Sequence, residues 1–304
     1  MMKKIVLLSL LFCFGAVCAQ EHQLTLGAGG GVMLLNPQTE QEGVTQTPFP
    51  AGMFSLGYTY LADVGKGNVA LGLSTGLEAG GAMAALSGRQ TEQFTNTDYL
   101  GNTMQYTVTT GFSDRQKQLF AQVPLMFTMR ASGLTLSLGA KASMPFLSRS
   151  EQVLKNPSIS AYYDLTGVTV TNRVITGVVA PEDMRKSFDG VFSGLTVKAS
   201  CELGYEWKLG AQSAFGLKVF ADVSVYDNYS SDAPGGRLIT VAPITDATNP
   251  APLVTVGHAT ELYCRQMLPV ELGLKLYYAF VWNNRYVNQV ILNRNGRRIR
   301  IRLQ

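Results

Sequence analysis

Gly72-Leu73-Ser74-Thr75-Gly76 has the G-x-S-x-G spacing that lifts a nucleophilic serine onto a strand-to-helix elbow for acyl transfer. Here the five residues sit inside an alternating run with the serine on its polar phase, so the elbow is not expected. The chain has two histidines, His22 and His258. A general base is therefore restricted to His258 with a loop aspartate and serine, and no spacing motif joins them. Neither histidine has a histidine or cysteine at ligand spacing, so metal binding has no support and no cofactor is expected. The glycines after Leu26 lack the lysine and following helix of a phosphate loop. They read as strand glycine that allows tight curvature, and the chain reads as non-catalytic.

Those residues must be held by strands. In Ser193–Leu209, Leu195, Val197, Ala199, Cys201, Leu203, Tyr205 and Trp207 alternate with polar residues or glycine. A period of two describes a strand with one apolar and one polar face. Eight segments behave this way: 22–35, 52–62, 67–81, 116–130, 133–146, 193–208, 213–227 and 263–282. Short links (around 63–66, 131–132 and 209–212) alternate with long ones (36–51, 82–115, 147–192 and 228–262). An even strand count with alternating short turns and long loops is the pattern of outer-membrane barrels. The reading is all-β: an eight-stranded antiparallel up-and-down transmembrane β-barrel with long extracellular loops and both ends periplasmic.

Composition agrees. Charged residues are 15% of the chain, below the usual quarter, and no segment after the N-terminus is long and apolar enough for a transmembrane helix. Residues 1–19, with Lys3 and Lys4 before an apolar run and Val17-Cys18-Ala19 at its end, read as a cleaved secretory signal. Val17 is a poor neighbour for a lipidated Cys18, so Gln20 is the expected mature start. Removing Lys3, Lys4 and the six arginines after residue 283 from the net charge of +4 leaves −4 for residues 20–283. Nucleic acid is therefore not an expected partner. Cys201 and Cys264 fall on strands separated by a third, too far apart to bridge, and are expected as free thiols.

The aromatics choose between water and lipid. Tyr58, Tyr60, Phe127, Tyr205, Trp207, Phe215, Tyr278, Phe280 and Trp282 share the apolar face near the short-turn ends. That is an interfacial girdle, and it places Val197, Leu217 and Leu272 against lipid. The polar face then fills a narrow lumen, with Glu78, Lys141, Lys198, Glu202, Glu206, Lys218, Asp222, Glu271 and Lys275 pointing inwards. Isolated buried charges are costly, so these are expected to pair. If the hairpin across 209–211 keeps index sums of 420, Glu202 opposes Lys218 and Lys198 opposes Asp222.

The pieces "AQEHQLTLGAGGGVMLLN", "FSLGYTYL", "GNVALGLSTGLE", "QVPLMFTMR" and "MLPVELGLKLYYAF" resemble Bacteroidales-type outer-membrane β-barrel proteins, whose barrels are OmpA-like. The resemblance implies fold and location more than activity. Glu271, Gly273, Leu276, Tyr278 and Phe280 match the last-strand signal read by the outer-membrane insertion machinery, which it implies as a partner during assembly. Residues 284–304 are too short for the peptidoglycan-binding domain of many relatives. They read instead as a basic periplasmic tail whose Asn295-Gly296 and alternating arginines suggest a hairpin.

Three functions remain open. The first is a barrel with a plugged lumen and a structural or interaction role through its loops. It would be a monomer, with outer-membrane lipid, lipopolysaccharide and an unknown extracellular ligand as partners, in a Gram-negative envelope. The second is a small channel. The third is a lipid-modifying enzyme with His258 in its site, similar to a lipid A palmitoyltransferase barrel.

Overall fold

The computed structural model describes residues 20–39, 42–64, 69–97, 101–171, 184–190, 192, 194–226, 229, 236–241, 254–283, 290–292 and 298–300. The expected signal segment and the arginine tail apart from 290–292 and 298–300 lie outside them. Eight long strands carry the fold: β1 (Gln20–Leu34), β2 (Thr45–Asp63), β3 (Val69–Thr97), β4 (Thr103–Ala131), β5 (Leu134–Tyr163), β6 (Thr196–Lys208), β7 (Ser213–Tyr226) and β8 (Val270–Asn283). Each pairs antiparallel with its neighbours in sequence, and β8 returns to β1 from Glu21↔Asn283 to Leu34↔Val270. The ring is closed, which removes every sheet edge at this level. It is an eight-stranded up-and-down β-barrel.

At the short-turn end, Ser132 and Gly133 both have positive φ, 50° and 91°, as a two-residue type I′ hairpin requires. At the other end β3, β4 and β5 run far past their neighbours, at 29, 29 and 30 residues. This corrects the reading of 82–115 as a long loop, because only 98–102 separates β3 from β4. The expected loop 147–192 is likewise wall in part: β5 continues to Tyr163 and takes two further partners, Val168–Thr171 and Met184–Asp189. The start of the last segment also moves, since Ala259–Tyr263 is one turn of helix and β8 begins at Val270.

The strands continue because the alternation never stops; it changes polarity. On β4 the even residues face inwards throughout. Outward, Leu119, Val123, Leu125 and Phe127 are exposed apolar side chains, whereas Thr103, Gln105, Arg115 and Lys117 above them are polar. Inward, Gln122, Thr128 and Arg130 give way above to Phe112, Val108, Tyr106 and Met104, all buried. The outward apolar stretch from Leu119 to Met129 spans about 25 Å at a tilt of ~40°, the height of a bilayer's apolar band. On the same arithmetic the wall above it rises roughly 40 Å.

That tower has its own apolar core. Leu238, Ile239, Val241, Val256 and Ala259, from the connection between β7 and β8, are buried against Leu86, Phe94, Tyr106 and Ile159 of the wall. Within this connection Ile239–Val241 pairs with Val254–Val256. One continuous sheet thus encloses a polar interior in the band and, above it, an apolar core interrupted by a buried polar cluster around Asp114.

Candidate functional site

The nine charges expected in the lumen all face inwards, and eight of them are buried, Lys218 being only partly so. Lys141, fully enclosed, has Asp222 Oδ2 at 2.9 Å, Glu78 Oε2 at 3.3 Å and Glu202 Oε1 at 3.4 Å. Lys275 reaches Glu78 at 2.5 Å and Glu202 at 2.7 Å, and Lys218 reaches Glu202 at 3.0 Å. Lys198 pairs with Glu271 at 2.6 Å, farther from the short turns. Phe220 lies 5.5 Å below the Lys141 ammonium and 5.9 Å from that of Lys275, and Phe120 lies 4.9 Å from that of Lys198. Room for Phe220 comes from Gly273, where a Cβ would stand 2.7 Å from its ring.

The hairpin register differs from the expected one. Phe220 opposes Glu202 and Ser224 opposes Lys198, so the index sum is 422 and both expected direct pairs are lost. Lys218 sits opposite Gly204 and still reaches Glu202 diagonally, while Lys198 crosses the lumen to β8 rather than meeting Asp222. Lysine stems are long enough that a two-residue offset costs them no ion pair. Nearest-neighbour charge matching therefore could not select the register.

A third cluster closes the short-turn end and was missed. Arg130 holds Glu21 through two bonds of 2.5 and 2.7 Å and Glu206 through one of 3.0 Å. The Tyr277 hydroxyl donates to Glu206 at 3.2 Å. Arg130 shares the inward even phase of Gln122 and Thr128, which was the available signal. Between this cluster and the lysines lies a cavity of about 70 Å³, lined by hydroxyls such as those of Ser74, Thr128 and Ser137 and by apolar side chains such as Leu61 and Met126. That is space for a few waters. Ser74 is held inside the strand by hydroxyl bonds to Thr59 and Thr128, at 2.9 and 2.7 Å, with no elbow.

His258 lies in the tower and is buried. Its Nε2 is 2.9 Å from Asp114 Oδ2 and 2.9 Å from Ser150 Oγ, and its ring stacks on Phe188 at 4.5 Å. The hydroxyls of Ser150 and Thr260 both donate to Asp114. Burial alone would lower the His258 pKa, but Asp114, and Glu261 at 3.2 Å from Nδ1, outweigh it and raise it. Burial would raise the pKa of Asp114, yet the bonds from His258, Ser150 and Thr260 hold it low. Asp114 and Ser150 share one imidazole nitrogen, whereas a relay needs the acid on the other. Ser150 is also fully enclosed.

This cluster fastens the descending connection to the wall. Gln152 accepts from Ala259 N at 2.7 Å and donates to Gly257 O at 2.9 Å, and Lys186 donates to Val256 O at 2.9 Å. Cys264 is buried nearby, its thiol pushed up to about 12 by desolvation and by Asp114, and Cys201 is exposed; both are free. Among the described residues no group of acids, histidines and cysteines has the geometry of a metal site.

The aromatic girdle is present. Trp207, Phe215, Tyr205, Tyr278, Phe280 and Trp282 are exposed at the short-turn end. Trp207 stacks on Phe215 at 6.0 Å, and Trp282 stacks on His22 at 5.9 Å. On β8, Leu276, Tyr278 and Phe280 face outwards while Glu271 faces in.

No family model matches the chain, and no curated protein does. Among solved structures it is similar to Ail, the attachment invasion locus protein of Yersinia pestis, in a complex with the heparin analogue sucrose octasulfate. Identity is 8%, coverage 88% of this chain and 100% of that one, and the TM-score 0.25. It is also similar to OprG from Pseudomonas aeruginosa, with 10% identity, 85% and 96% coverage and a TM-score of 0.22. The outer-membrane protease OmpT from Escherichia coli gives 7%, 86%, 95% and 0.21.

Proposed function

We propose that the chain is an outer-membrane β-barrel protein of a Gram-negative bacterium, with a largely closed lumen and an extracellular tower that serves a structural or interaction role. The observation that carries this is the reversal of polarity along β4 between Leu119 and Lys117. Below it the outer face suits lipid; above it the outer face suits water. Barrels of this kind keep short turns in the periplasm and long connections outside, so the short-turn end is periplasmic and the tower extracellular. Glu271, Gly273, Leu276, Tyr278 and Phe280, spread along β8, suit recognition by the insertion machinery.

The closed lumen rests on three ion-pair clusters and on the Phe120 and Phe220 rings packed against their ammonium groups. Planar-bilayer recording of the folded protein tests it. Silent membranes are expected across several hundred recordings in which insertion is verified by protease protection. Reproducible unitary steps would overturn the closed lumen and favour a small channel.

A further inference from the structure

The outer face of the tower is strongly and asymmetrically charged. Above the apolar band, the outward faces of β3, β4, β5 and Met184–Asp189 carry Arg89, Arg115, Lys117, Arg149, Lys155 and Arg185. Against these six bases stand two acids, Glu151 and Asp189. The upper outward residues of β7, such as Val223 and Val225, and Leu195 just before β6 carry no charge.

Three of the bases gather at one height. Lys117 is the first outward residue above Leu119 on β4, and Arg149 the first above Leu147 on β5. The two are Cα partners, with Arg115 next along β4. Like charges placed directly opposite one another are destabilising. Glu151 reaches Lys117 at 2.6 Å and also feels the charges of Arg115 and Arg149, so one carboxylate is shared among three bases. Arg149 makes no ion pair among the described residues, not even with its other Cα partner Asp189. Arg115 lies over the Phe49 ring at 5.2 Å, which fixes its guanidinium on the outer surface. Directly below are Phe146 and Leu147, 66% and 57% exposed.

We infer that Arg115, Lys117 and Arg149 form a docking site for a phosphorylated lipid headgroup of the outer leaflet, with Phe146 and Leu147 receiving its acyl chains. This rests on the outer-membrane reading above. The site combines the two features such a ligand needs at their natural separation: cations at headgroup level and an exposed apolar surface beneath them. Arginine forks suit phosphate oxygens, and an anion between Lys117 and Arg149 removes the like-charge penalty of their pairing.

The test is native mass spectrometry of the full-length folded protein in zwitterionic detergent. The probes are diphosphoryl lipid A, the same lipid dephosphorylated, and inorganic phosphate. Retention of the diphosphoryl form is expected, with about fivefold weaker binding for each charge removed and about a hundredfold for R115Q/K117Q/R149Q. Equal retention of the dephosphorylated lipid, or unchanged binding by the triple variant, would overturn the site. So would full competition by millimolar inorganic phosphate, which would mark a general anion patch. If the triple variant fails to fold, R149Q alone and the salt dependence of wild-type binding replace it; salt-insensitive binding also overturns the inference. Vesicle insertion with protease-protected strands is read in parallel. Failure there removes the membrane reading itself, whereas insertion without phosphate discrimination removes only the docking site.

Discussion

Replacing Lys141 by methionine removes a buried cation while nearly conserving its volume. The structure says which carboxylates suffer. Glu78 and Glu202 keep Lys275, at 2.5 and 2.7 Å. Asp222 keeps only the Ser200 hydroxyl, at 2.6 Å, and is itself fully enclosed. Breaking a buried ion pair usually costs about 3–5 kcal/mol. With one carboxylate orphaned rather than three, the expected cost is about 3 kcal/mol. Lys218→Gln is the internal control: the Lys218 side chain is 16% exposed and its partner Glu202 still has Lys275, so about 1 kcal/mol is expected. Trp207 and Trp282, the only two tryptophans, lie in the girdle and report insertion. Reversible denaturant titrations in lipid vesicles, followed by their fluorescence, give both values. A K141M loss no larger than that of K218Q would refute the reasoning, because it would mean that water in the lumen screens the charges.

The His258 clamp should depend on pH. Its folded pKa is raised, so its contribution is fully present below the ordinary histidine range and lost as pH rises through the elevated value. Asp114, held low, adds stability that disappears only in strong acid. Hydrogen exchange of 254–263, corrected for intrinsic rates, should show greater protection near pH 6 than near pH 9, and His258→Gln should abolish the difference. On the outer face, Leu125→Arg at mid-band should cost about 2–4 kcal/mol, and Leu119→Arg at its upper edge about 0–1 kcal/mol. Equal effects in vesicle folding titrations would displace the band from where the structure puts it.

The barrel was legible because period-two alternation and alternating link lengths survive in the bare sequence. The tower was not. Between Ala82 and Arg115 the outer face becomes threonine, glutamine and arginine while the inner face gains Leu86, Phe94 and Tyr106. A search for an apolar outer face reads that inversion as the end of a strand. Inward charges such as Lys141 and Glu202 were legible from phase alone, but their partners were not, since the ammonium groups reach diagonally or past the neighbouring strand rather than to the residue directly opposite. Asp114 and Ser150 fell in supposed loops, so nothing in their spacing announced that they meet His258. Glu21 sat one residue before the first alternating segment, which left Arg130 without a visible counterpart.

The unbroken run of β4 from the short turn at Ser132-Gly133 to the top of the tower has a mechanical consequence. No linker intervenes between the embedded and the projecting parts, so the projecting part is a mast rather than a tether. Whatever it meets is met at a fixed height of up to roughly 40 Å and a fixed inclination, with free rotation only about the membrane normal. Docking on such a mast forfeits little orientational entropy compared with capture by a flexible arm. The same stiffness denies it reach. A partner held farther from the bilayer than the mast is tall lies beyond contact, however well its surface fits.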